Sequence, residues 1–146
     1  MKRIFKINIK ILFMVFVVLD LLCIAIGMGV PIFCIFFGFL IGWYITKRVT
    51  NDLRDLKFIL RKIFRYAFIT SAFTFIVMLI IWGQVIPMLF DTDADFVNFG
   101  IPLILYEPKI SFIGWLFLMI LISPFLQLMT TIFASFLTLL RNKSRE

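Results

Sequence analysis

Residues 9–45 read IKILFMVFVVLDLLCIAIGMGVPIFCIFFGFLIGWYI, an apolar run of 37 residues interrupted by charge only at Lys10 and Asp20. A bilayer core of about 30 Å is crossed by roughly 20 helical residues. The run is therefore too long for one comfortable crossing and fits two. Gly27-Met28-Gly29-Val30-Pro31 supplies two glycines and a proline at its centre, where a chain can turn sharply. We read a first span over 8–27 and a second over 31–46, joined by a tight hairpin. One long tilted or broken helix is the competing reading.

Working outward, a third apolar run extends over 66–90, with Thr70, Ser71, Thr74 and Gln84 as its polar positions. A fourth covers 110–140, longer than a simple crossing. It must tilt, start in the interface or bend, and Pro124, which lacks an amide hydrogen, predicts a kink at Ser123-Pro124. The chain of 146 residues is 63% hydrophobic with 20 Phe and 7 Met, far above the roughly half-apolar content of soluble domains. The sequence predicts an all-α, four-transmembrane-helix bundle in a single integral membrane domain, 1–146.

Charge sets its orientation. Lys2, Arg3, Lys6 and Lys10 precede the first span, seven basic residues from Lys47 to Arg65 separate the second from the third, and Arg141, Lys143 and Arg145 follow the fourth. The connection after the third span instead opens with Asp91, Asp93 and Asp95. Basic loops stay on the cytoplasmic side, so both termini are expected inside (N-in/C-in), with the 27–31 hairpin outside. The net charge of +7 is thus a topology signal, and nucleic acid is not expected as a partner. The basic start and the apolar run before Ala25-Ile26-Gly27 imitate a secretory signal, but the next segment is equally apolar and we expect no cleavage. Neither terminus carries a lipidation motif, and the sequon Asn142-Lys143-Ser144 falls on the cytoplasmic side.

Residues 51–65 form a basic amphipathic segment, expected as a cytoplasmic helix that lies on the membrane or leads into the third span. Asn51 or Asp52 is its expected N-cap, Leu53, Leu56, Leu60 and Ile63 its apolar stripe, and Arg54, Lys57, Arg61 and Arg65 its lipid- or partner-facing stripe. Anionic lipid head groups are the expected contact. Trp43 and Tyr44, just before Lys47-Arg48, suit an interfacial anchor.

Asp20 is the sharpest residue. It falls near mid-depth, where a carboxylate is costly and ordinarily faces a bundle interior, a cavity or a partner. It must be protonated, hydrogen-bonded, bound to a cation or paired with a basic residue of another protein. Ser123, Gln127, Thr131, Ser135 and Thr138 recur at helical spacing and line one face of the fourth span. Gln127 is the expected partner of Asp20, which makes Asp20, Gln127 and Thr131 the candidate ion or proton site, against a packing role for the same stripe. Cys34, Gly38 and Gly42 form a small-residue ridge on the second span, suited to close packing against the first span or a second copy. Cys23 and Cys34 are expected as unpaired thiols. The acids at 91, 93 and 95 echo a calcium loop, but Phe96 stands where that loop needs glycine. The apolar stretch from Phe96 to Tyr106 is expected to cap the outer end or meet a partner.

The chain has no histidine, and no nucleophile–base pair, metal cluster or nucleotide loop, so no catalytic residue, metal or cofactor is expected. Two function classes remain. One is a non-enzymatic interaction or accessory module: a subunit, an assembly partner or an immunity-type protein in a prokaryotic cytoplasmic membrane. The other is a small oligomeric proton- or cation-coupled transporter or channel with Asp20 as its midplane site. A homo-oligomer or a second membrane protein is the expected partner.

Overall fold

The structure, a computed structural model, describes residues 8–25, 31–52, 55–98 and 106–143. The elements are α1 (Ile9–Ala25), α2 (Pro31–Asp52), α3 (Leu56–Gly83), a 3-10 turn (Ile86–Phe90), α4 (Pro108–Phe117), a π turn (Leu118–Ile122) and α5 (Ser123–Lys143). No strand occurs among the described residues. Among the described residues, three helical runs are long and apolar enough to cross a membrane: Pro31–Thr50, Leu56–Gly83 and Pro108–Asn142. The described run of α1 is 17 residues. The expected hairpin residues 27–30, like Arg54 and Leu53, lie outside the described residues.

Several expected boundaries are corrected. The second helix ends at Asp52 instead of 46, because Val49 is buried against Ile45, Ile59 and Ile63, and this contact carries α2 one and a half turns further. No separate surface helix occupies 51–65. The end of α2 and the start of α3 divide that segment, and Asp55, rather than Asn51 or Asp52, is the N-cap, accepting a hydrogen bond from the Lys57 amide at 3.1 Å. The buried register is Ile59, Ile63, Ala67, Thr70, Ser71 and Thr74, whereas Leu56 is exposed. That stripe continues at helical spacing into the apolar half, so Leu56–Arg65 forms nearly the first three turns of one 28-residue helix. At its other end α3 stops at Gly83 instead of 90. Pro87, within the 3-10 turn, has no amide hydrogen for the Gly83 carbonyl, and its ring would crowd that carbonyl in an α-helix.

The fourth run extends from Pro108 to Lys143 through the π turn. The π turn absorbs Pro124: the Ser123 amide donates to the Leu118 carbonyl, five residues back, and the Ser123 hydroxyl donates to the same oxygen at 2.9 Å. A widened turn before the proline gives its ring room without ending the helix.

α2 and α5 form the tightest pair. Gly38 faces Gln127 and Thr130, Gly42 faces Thr131 and Ala134, and Lys47 donates to Asn142 at 2.8 Å. Ascending numbers match ascending numbers, so the two helices run parallel. α3 lies against both, tied to α5 by the Ser71 hydroxyl donating to the Pro124 carbonyl at 2.6 Å. α1 stands off, meeting the others through side chains: Phe16 stacks on Phe37 (5.4 Å between centroids) and meets Phe73 edge-on at 5.7 Å. At the far end a second core forms around Phe112, Leu116 and Ile120, and Phe75, Trp82 and Phe96 pack against it.

Candidate functional site

The α2–α5 seam is built from small residues because its backbones nearly touch. A Cβ added at Gly38 would collide with Thr130 Oγ1 and with the Gln127 carbonyl, and one at Gly42 with the Thr131 carbonyl. The glycines thus face α5, and not α1 or a second copy. Opposite them Ser123, Gln127, Thr131, Ser135 and Thr138 are all buried. Their hydroxyls are satisfied along the helix: Thr131 donates to the Gln127 carbonyl, Ser135 to that of Thr131 and Thr138 to that of Ala134, each at 2.7 Å. Ser135 also reaches the Gly42 carbonyl at 3.2 Å, a cross-helix link. Thr46 donates to the same Gly42 carbonyl at 2.9 Å. Hydroxyls returned to their own helix tolerate an apolar interior, since no donor is left bare.

Asp20 is 3% exposed. Its partner is Thr74 of α3, whose hydroxyl lies 3.2 Å from Asp20 Oδ2, and not Gln127. Gln127 is fully buried, and neither its Oε1 nor its Nε2 has a hydrogen-bond partner. The cross-helix bond thus goes to the shorter side chain. In the sequence Thr74 stands only as one of four polar positions of the third span. The signal that could have found it was its spacing from Thr70 and Ser71, which places all three on the face that α3 buries. Cys34 is buried with a free thiol, and the side chain of Cys23 lies outside the described residues.

Of the basic stripe, Lys57, Arg61 and Arg65 are exposed on the first turns of α3. Lys62 beside them sits over the Phe58 ring, 5.2 Å from its centroid. Trp43 is half-exposed on the outer face of α2.

The acidic loop holds itself. Asp91 Oδ1 accepts from the Asp93 amide at 3.0 Å, and Asp95 accepts from the Val97 and Asn98 amides and from the Asn98 side chain at 2.6 Å. The Asn98 side chain, aided by its backbone amide and that of Val97, holds the Asp95 carboxyl below its ordinary range. These local turns employ the carboxylates, and no group of acids, cysteines or histidines among the described residues is arranged to hold a metal. Phe96 meets Phe112 at 5.1 Å, so the start of the loop covers the outer core. Residues 99–105 lie outside the described residues.

Cavities open among the described helices. One of about 230 Å³ lies between α1, α2 and α3, lined by apolar residues with Tyr44, Tyr66, Thr70 and Arg48 among them. Another, about 240 Å³, lies between α3 and the α4–α5 run, with Ser71 as its one hydroxyl-bearing wall residue. No protein-family model, curated protein or solved structure matches this chain.

Proposed function

We propose that the chain crosses the membrane four times, with both termini on the cytoplasmic side, as a non-enzymatic interaction module of a prokaryotic cytoplasmic membrane: a subunit, an assembly partner or an immunity-type protein. The observation that carries this reading is the inward placement of Asp20 against the Thr74 hydroxyl of the same chain, which it shares with the Thr70 carbonyl, backed by a seam that glycine contacts close. A mid-depth acid bonded within its own bundle specifies how the helices meet and leaves the outer surface to partners. That outer surface is apolar: Phe36, Trp43, Phe68, Phe125 and Phe133 all project outward.

Lengths support the four crossings. The 17 residues of α1 extend about 26 Å at the α-helical rise, the short end of a span. The 28 residues of α3 extend about 42 Å, so its Lys57–Arg65 turns project beyond the core into the head-group region. Alternating directions through α1, α2, α3 and the α4–α5 run place residues 8, 52, 56 and 143 at one end, the basic one.

A second reading, the small oligomeric proton- or cation-coupled transporter or channel, draws on one observation: the unpartnered Gln127 amide lies in the same interior as a buried acid. Native mass spectrometry of the protein extracted gently from its own membrane tests the two. The module reading expects a second membrane protein at fixed stoichiometry, or a homo-oligomer that Asp20→Asn leaves intact. A homo-oligomer without a partner that, reconstituted in liposomes, carries protons as wild type and not as Asp20→Asn contradicts it.

A further inference from the structure

Lys47 and Arg48 are neighbours at the basic end of α2, yet they differ in one respect. Lys47 is engaged by Asn142 of α5. Arg48 points the other way, into the wall of the cavity between α1, α2 and α3, and its Nη1 is buried without a hydrogen-bond partner. A guanidinium nitrogen in that position calls for an acceptor, and among the described residues none serves it.

The cavity itself is mostly apolar. Leu12 and Phe16 of α1, Leu40 and Ile45 of α2 and Tyr66 of α3 contribute its walls. Val15, Leu19 and Leu40 on the rim are themselves exposed on the outer surface, so the slot opens sideways between α1 and α2. Its volume of about 230 Å³ exceeds the roughly 150 Å³ in which an apolar cavity holds a benzene ring, and it accommodates a length of acyl chain. The cation stands at the end where α2 leaves the apolar layer, one residue before Val49, and Phe37, about three turns back along α2, lines the wall toward the other end.

We infer that this slot seats one anionic phospholipid of the leaflet on the basic side, an acyl chain lying between α1 and α2 and the phosphate accepting from Arg48. The chemistry matches at both ends: guanidinium donors suit phosphate oxygens, and the apolar walls suit methylenes. The lipid also accounts for the stand-off of α1, whose side chains alone reach α2 and α3 on this side. The inference rests on the membrane-spanning reading above, and not on which partner the module binds.

The test uses the full chain, purified in mild detergent and supplied with equal amounts of phosphatidylglycerol and phosphatidylcholine of the same acyl chains, with native mass spectrometry of the retained lipid. One phosphatidylglycerol per chain, in clear preference to phosphatidylcholine, is expected. Arg48→Gln should lower that retention roughly tenfold, the worth of one charge-assisted hydrogen bond, and Leu40→Trp should lower retention of both lipids by filling the mouth of the slot. Lys109→Gln, an exposed cation at the start of α4, should leave retention unchanged. Equal retention of the two lipids by the wild-type chain overturns the inference without recourse to any variant, and so does an Arg48→Gln protein that keeps its phosphatidylglycerol. Release of the chain from native membranes by an alkaline carbonate wash would instead sink the membrane-spanning reading, so the two failures are distinguishable.

Discussion

Gly38 and Gly42 stand where α5 leaves no room for a side chain, while a Cβ at Gly114 would meet nothing within 4 Å. The same substitution should therefore have opposite signs. Gly38→Ala and Gly42→Ala should each destabilise the protein by about 1–3 kcal/mol, since the neighbours to be displaced include backbone carbonyls. Gly114→Ala should stabilise it by roughly 0.5–1 kcal/mol through helix propensity. Denaturant titration in detergent, followed by far-UV circular dichroism, reads all three. Gln127 gives a second contrast at this scale. Its amide is buried with both polar atoms unpartnered, a state that costs about 1–3 kcal/mol. Gln127→Met, of similar length and without the unmet polar groups, should be neutral or raise stability by up to that amount in the same titration. A loss above about 1 kcal/mol would mean that the amide holds a bound water or other partner inside the bundle. Asp20 was legible as an interior acid from its depth in an apolar run. Its bond to Thr74 was not, because one-dimensional spacing ranks residues along a helix and says nothing of which neighbouring helix brings its face around.

Among the elements, α3 shows how a sequence boundary and a structural boundary part. Polarity changes at Tyr66, where the apolar span begins, but backbone hydrogen bonding is indifferent to polarity, and of the two readings of 51–65 the one that holds is that its second half runs directly into the span. The helix begins where the Asp55 side chain can cap it. Asp55→Ala should cost about 1 kcal/mol, seen as a lower denaturation midpoint and as faster amide exchange confined to Lys57–Ile59. Equal exchange in the two proteins would show that the cap does not hold the start of α3. Lys57, Arg61 and Arg65 are exposed on this helix, while the buried face differs from the apolar stripe the spacing predicts, because Ile59 and Ile63 pack on Ile45 and Val49 and that contact needs the three-dimensional partner. Pro124 was legible as a disturbance of the fourth run. Its resolution as a π turn over Leu118–Ile122 was not, since a tilt, a kink and a widened turn all answer the same missing amide.

Over the whole molecule, hydropathy reads well, because helices long and apolar enough to cross a membrane stand out as apolar runs of spanning length. Function reads poorly for the same reason. Lipid tails and protein side chains are alike to Phe36, Phe68 or Phe133, so an outward apolar face does not distinguish a lipid-facing surface from a partner-facing one. What the interior offers is sharper. Asp20 is hydrogen-bonded within the chain, the α5 hydroxyls are returned to their own backbone, and glycine contacts close the seam between α2 and α5. On this account the buried polar groups hold helices together and move nothing across the membrane. The direct test is proton flux into liposomes containing the purified protein, under an imposed pH gradient with a trapped pH-sensitive dye, for the wild type and Asp20→Asn. Leakage no faster than through protein-free liposomes, in both cases, is the expected result. A flux through the wild type that Asp20→Asn abolishes would contradict the account and make Asp20 a transport site.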